Sequence, residues 1–468
     1  MKRLLAFVHL SVLAACALVA LAVPPAAAER ISFIRDTEIE NTILTWATPL
    51  FEAAGLQPDA IQIYIVNDRS LNAFVAGGQK LFINTGLLMA SENADQVIGV
   101  IAHETGHIAG GHLARTHDAL RDSTATSILA FVLGGLAAIA SQRPDLGAAI
   151  IAGGQSAGLR NFLQYSRTQE YAADQAAMKF LDETHTSAKG LLDFMHTLSG
   201  QDLLSTSRQD PYMRTHPMTR DRIAALEQHV ATSPYSKTEL PAEYDRMHRV
   251  MRAKLFAFME PGLRTLRRYP ETDNSEEARL ARAIAFYRRP DLDRALPLVD
   301  GLIAEFPDNP FYHELRGQML FENGRVKEAL PAYREAVRLL PKSPLLRRAY
   351  GHVQLEMNDP ALLPEAIENL RTALAHDRTD AFAWRQLAIA YGRDGQTAQG
   401  ALALAEEAML QGRHRDAIYH AGKAERELPR GSSGWLQAQD LLAHAEQAKE
   451  RAKARGDGRN LSDGRRSR

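Results

Sequence analysis

The sequence predicts a mostly helical α+β chain: a mixed domain with a small sheet, then an α-solenoid of helical repeats. Three observations predict it. Residues 61–83 hold three short strand-like segments. Beyond them apolar residues recur mainly at helical spacing. From about Asn274 a pattern of small and apolar residues repeats, with Pro307 and Pro341 lying 34 residues apart.

At 468 residues the chain is too long for one ordinary core. The expected divisions are a leader over 1–28, a mixed domain over 29–260, repeats over 261–455 and a disordered basic tail over 456–468. Hydrophobic content of 45% and charged content of 24% are those of a globular protein. A net charge of −1 argues against a nucleic-acid partner.

The leader reads as a signal peptide. Lys2-Arg3 precedes an apolar run from Leu4 to Val23, and Ala26-Ala27-Ala28 offers a cleavage site. Two alternatives stand beside it: a retained N-terminal anchor, and a lipid anchor on Cys16, since Leu13-Ala14-Ala15-Cys16 resembles a lipobox. Cys16 is the only cysteine, so cleavage after Ala28 leaves a chain without thiols, compatible with an oxidising periplasm.

In the mixed domain, residues 61–66 alternate like a strand. Residues 72–83 read as two strands around Gly77-Gly78, the first either a core strand or an exposed edge able to pair with an extended peptide. Asn93 with Gln96 predicts a helix start before Val97, Ile98, Val100 and Ile101, and Gly110-Gly111 marks its far end. Residues 125–158 hold two apolar pieces too short to span a bilayer. They read as a buried helical hairpin, or else as a flap making peripheral membrane contact.

The repeat unit 310–343 carries Gly317, Leu320, Ala329, Tyr333, Ala336 and Pro341 at tetratricopeptide spacing. The next has Gly351, Ala366, Leu370 and Ala373, with three extra residues between Asn358 and Leu363. Trp384, Leu387, Ala388 and Tyr391 begin another, and Ala405, Ala417, Ala424 and Pro429 mark an imperfect last one. Small residues let the paired helices approach, and stacked units present a concave face for a partner.

His103-Glu104-Thr105-Gly106-His107 falls inside the predicted helix. Two histidines four apart share a helix face and can bind one zinc ion, with the intervening glutamate as general base for peptide hydrolysis. A catalytic zinc needs a third protein ligand. A histidine six residues after His107 is excluded, because Leu113 stands there. His112 reads as a polar helix residue or an outer contact of a ligand. Glu170 and Asp174, four apart on a later helix, supply the alternative: Glu170 as ligand and Asp174 as acceptor for a ligand imidazole.

The His103–His107 box followed by Arg167-Thr168-Gln169-Glu170-Tyr171-Ala172-Ala173-Asp174 resembles the gluzincin peptidases that include the HtpX-type and prenyl-protein proteases. Asn72-Ala73-Phe74, Gly77-Gly78 and Thr85-Gly86-Leu87-Leu88 match the same family. From residue 29 to about 450 the organisation is similar to its BepA-like type. The resemblance implies a zincin-type metallopeptidase domain with one Zn2+ per chain, a periplasmic location and a role in outer-membrane protein quality control and assembly. Its implied partners are unfolded or misassembled outer-membrane proteins, with assembly machinery engaged through the repeats. It also points to Thr215-His216-Pro217 and Arg222. His216 is then either a fourth metal ligand that holds the enzyme at rest or a donor to the oxyanion. Arg222 polarises the substrate carbonyl or pairs with a carboxylate. The rival reading of the whole chain is a chaperone or assembly factor with a mostly autoinhibited site. A purely structural zinc site is disfavoured, since such sites are usually cysteine-rich.

Overall fold

The computed structural model describes residues 32–112, 157–199, 212, 216 and 219–464, with side chains in the first of its long helices from Arg167 and in the last up to Lys453. The leader with Cys16, and residues 125–156 of the apolar segment, lie outside the described residues. Among the described residues no helix is long and apolar enough to cross a membrane.

The chain forms the expected α+β architecture, and it divides into two compact units. One holds residues 43–245 with the strand β1 (Phe33–Ile34). Its sheet continues with β2 (Gln62–Val66), β3 (Ala73–Ala76) and β4 (Lys80–Asn84), in the order β1-β2-β4-β3. β3 and β4 form the hairpin around Gly77-Gly78, antiparallel with Ala73 opposite Ile83. β2 runs parallel to β4, with Gln62 opposite Lys80. β3 therefore lies at a sheet edge among the described residues. Alternation places Ile65, Leu81 and Ile83 in the core, while Tyr64, Phe74 and Phe82 stack on the other face at centroid distances of 4.9 Å.

The helices of this unit are α1 (Thr37–Ala53, which begins in the other unit), α2 (Thr85–Ala90), α3 (Ala94–Ala109), α4 (Ala157–Glu183), α5 (Lys189–Ser199) and α6 (Arg220–Thr232). α3 packs against α4, α5 and β3. Its start is capped as expected: the Asn93 side chain accepts from the Gln96 backbone N–H at 3.1 Å. The Gln96 side chain accepts from the Glu92 N–H at 2.9 Å, one residue earlier than a capping box would have it.

The second unit holds residues 35–42 and 246 onward. The boundary expected after residue 260 falls at the end of α7 (Ala242–Met259), whereas the change of contacts falls at Arg246. The reason is burial: Val250, Ala253 and Ala257 share a cluster with Leu280 and Ile284. Residues 35–42 join this unit through charge. Buried Lys254 meets Asp36 at 2.9 Å and Glu38 at 3.1 Å, and the Thr37 hydroxyl donates to Glu314 at 2.6 Å.

After the short α8 (Gly262–Arg268), helix pairs follow: α9 (Glu276–Tyr287) with α10 (Leu292–Glu305), α11 (Pro310–Glu322) with α12 (Val326–Leu339), and α13 (Pro344–Glu356) with α14 (Leu363–His376). Then come α15 (Ala381–Arg393) with α16 (Thr397–Leu410), and α17 (His414–Glu427) with α18 (Ser433–Gly464). Ala295, Ala329, Ala366, Ala405, Ala417 and Ala424 are buried, as close helix approach requires. The extra residues before α14 form a 3₁₀ turn, Pro360–Leu362, entered through Asn358 at φ 52°. The backbone of α18 is helical to Gly464, past residue 456 where the sequence predicts a disordered tail.

Candidate metal centre

α3 presents His103, Glu104 and His107 on one buried stretch. α4 presents Glu170 and Asp174, also buried, one turn apart. The third contribution is His216, whose backbone N–H donates to the Tyr212 carbonyl at 2.7 Å. α6 opens with Thr219, whose side chain caps the Arg222 N–H.

One nitrogen each from His103, His107 and His216, and one Glu170 carboxylate oxygen, lie within 4.8 Å of one another. His103 Nε2 is 3.2 Å from His107 Nε2 and 3.3 Å from His216 Nδ1. Glu170 Oε2 is 3.1 Å from His216 Nδ1, and Oε1 is 3.4 Å from His107 Nε2. Three imidazole nitrogens and a carboxylate converging on one point bring together more lone pairs than hydrogens can satisfy, and this donor chemistry fits a divalent cation.

Behind this group, Asp174 Oδ1 lies 2.9 Å from His103 Nδ1. Arg222 closes on Asp174 with two nitrogens, Nη2 at 2.9 Å from Oδ1, and its Nη1 reaches Glu170 Oε2 at 3.1 Å. Of the two roles considered for Arg222, pairing with carboxylates is the one the geometry contains. His112 sits against His107, Nδ1 to Nδ1 at 3.0 Å, so it is an outer contact of that imidazole.

The charges follow the packing. Burial pulls the His103 imidazolium down, but Asp174 and Glu170 outweigh it and lift its pKa to about 10. Burial drags His107 down to about 3. Burial raises the Glu170 carboxyl, yet His216, His103 and His107 hold it well below the usual range. Asp174 is likewise pushed up by burial and held low by Arg222 and His103. Glu104 is pushed up by burial. Neither of its oxygens has a hydrogen-bond partner among the described residues, and Oε1 lies 3.5 Å from His216 Nε2. A buried carboxyl without such partners, beside a cluster of imidazoles, is suited to exchanging a proton.

Sequence reasoning missed Tyr212. Its ring stacks on His216 at 4.5 Å and 28°, with Phe194 edge-on to it at 5.3 Å. The only signal was its position four residues before His216.

Residues 34–230 match peptidase family M48, and residues 264–310 and 280–344 match the tetratricopeptide repeat. The chain is similar to the putative beta-barrel assembly-enhancing protease of Vibrio cholerae, with 25% identity over 408 residues covering 85% of this chain and 82% of the relative. It is 23% identical over 412 residues to the beta-barrel assembly-enhancing protease of Escherichia coli (strain K12), covering 85% and 81%. It is also 26% identical over 190 residues to metalloprotease LoiP of the same organism, covering 40% and 69%. The metal that such a peptidase requires is matched by the donor set described above. The chain thus joins a peptidase family M48 domain to tetratricopeptide repeats, and it is a metalloendopeptidase.

Proposed function

We propose that the chain is a zinc-dependent endopeptidase of the periplasm. It would bind and degrade misfolded or stalled outer-membrane proteins, assist their assembly, and dock clients or assembly machinery through its repeats. The convergence of His103, His107, Glu170 and His216 beside buried Glu104 carries this reading. The names of the long relatives supply the context of beta-barrel assembly.

His103, His107 and Glu170 would hold the zinc. When bound, zinc supplies Lewis acidity that polarises a scissile carbonyl and eases deprotonation of a water. Glu104 takes the proton of the attacking water on a carboxylate oxygen and delivers it to the leaving amine. Asp174 fixes the His103 ring through Nδ1, and Arg222 holds Asp174 in place. The edge strand β3, packed beside α3, would take up an extended client chain through backbone pairing, which tolerates many side chains. In the repeats, Phe321, His352 and Phe382 form a ring ladder across α11, α13 and α15 with centroids 5.0 and 5.1 Å apart; Phe382 is exposed and offers an apolar anchor.

A second reading is an assembly factor whose site is mostly closed. The closeness of His216 Nδ1 to His103 Nε2, 3.3 Å, and to Glu170 Oε2, 3.1 Å, supports this reading, in which the ring would act as a fourth ligand. Elemental analysis of the purified protein and of Glu170→Ala tests the site: about one zinc in the wild type, largely lost in the variant, is expected. Cells carrying Glu104→Gln decide between the readings. Loss of outer-membrane protein quality control supports the peptidase, and full retention supports the assembly factor.

A further inference from the structure

We propose that His112 is a positioning residue that fixes the ring orientation and tautomer of His107. The inference rests on the reading of His107 as a metal ligand. It starts from how the chain leaves α3. Gly110 caps the helix in the helical region, and Gly111 at φ +59° reverses the backbone. That reversal returns the His112 ring onto the helix end, where it is 7% exposed. The ring meets His107 edge-on, with centroids 5.0 Å apart and planes at 81°. Two further features hold it there. The Gln169 amide, next to Glu170 in sequence, donates to the His112 carbonyl at 3.2 Å. The ring also fills the space over Gly110, where an added Cβ would come within 2.4 Å of His112 Nε2.

The hydrogen count sets the direction of the contact. His107 turns Nε2 toward His103 and Glu170, which leaves Nδ1 facing His112. Two Nδ1 atoms 3.0 Å apart share a single hydrogen. A ring that gives its Nε2 lone pair to a cation carries its hydrogen on Nδ1. His107 therefore donates, His112 Nδ1 accepts, and His112 carries its own hydrogen on Nε2. On the corresponding side of the His103 ring, Asp174 Oδ1 lies 2.9 Å from Nδ1. The two imidazoles are thus held unequally, one by a carboxylate and one by a neutral ring, and the neutral partner adds no further anion beside Glu170.

The test titrates Zn2+ into the full-length protein against a chromophoric chelator and records unfolding of the metal-free protein alongside. His112→Ala is expected to weaken Zn2+ binding about 10- to 100-fold. His112→Asn, whose Oδ1 takes the place of Nδ1 as acceptor, should restore most of that loss. Gly110→Ala favours the helix but displaces the ring, so it should weaken binding in the wild type and add little in the His112→Ala background. Zn2+ affinity unchanged in His112→Ala overturns the role, as does His112→Asn binding as weakly as His112→Ala. If His112→Ala also lowers metal-free stability, His112→Asn and Gly110→Ala decide by the same criteria. A wild type that takes up no Zn2+ overturns the metal reading and this role together, whereas zinc lost in Glu170→Ala but kept in His112→Ala removes this role alone.

Discussion

Gly106 lies so close to α4 that a Cβ at this position would come within 2.7 Å of the Ala173 carbonyl oxygen and 3.0 Å of its Cα. This contact sets the distance between the helix of His103 and His107 and the helix of Glu170 and Asp174. The obstacle is backbone, which cannot rotate away. Gly106→Ala is therefore expected to cost about 1–3 kcal/mol and to draw Glu170 off the two histidines. Thermal unfolding and bound metal, measured together, check it. Full metal content with wild-type peptidase activity would show that the helices do not need this approach.

Glu104→Gln removes the group that moves the proton and leaves the four converging donors intact. Peptide hydrolysis should fall by about 10²–10⁴-fold while metal content stays at the wild-type level. A variant that still hydrolyses an unfolded substrate at near the normal rate would place the base elsewhere.

Arg222→Ala should be costly for stability. Arg222 is 3% exposed, and its loss takes from Asp174 and Glu170 the guanidinium that both meet. Removing one partner of a buried pair costs about 3–5 kcal/mol. Arg222→Lys cannot reproduce the two-nitrogen grip on Asp174 and should recover only part of this. Urea midpoints of the three proteins give the comparison, and a shift in Arg222→Ala no larger than that of an exposed residue would count against the network.

The repeat unit carries a pH signal of its own. Burial pushes the Glu314 carboxyl up to about 7, with Lys254 opposing and Asp36 reinforcing the shift. An unfolded glutamate titrates at about 4.3. Between these values the native state keeps a proton that the unfolded chain has released, so the stability from this group is present below about 4.3 and lost as pH rises toward 7. Glu314→Gln keeps an uncharged side chain throughout and should flatten that decline. Unfolding midpoints at pH 5 and pH 8 report it; equal slopes for wild type and variant would assign the titration to another group.

What the sequence by itself determined was local. The four-residue spacing of His103 with His107, and of Glu170 with Asp174, places each pair on one helix face because the helix repeats every 3.6 residues. The hairpin around Gly77-Gly78 and the repeats were legible for the same reason, since turn chemistry and small-residue periodicity act over short stretches. Tertiary structure decided the rest. Only packing brings His216 to within 3.3 Å of His103, 113 residues away, and only the Gly106–Ala173 approach joins the two helix faces. Packing also turned Arg222 onto Asp174, folded His112 back onto His107, and drew α7 from Arg246 onward into the repeat unit. None of these contacts has a period or a spacing along the chain; apolar burial draws α7 into the repeat unit, whereas the polar contacts exist because burying charged and imidazole groups demands a partner, and the fold decides which partner is within reach.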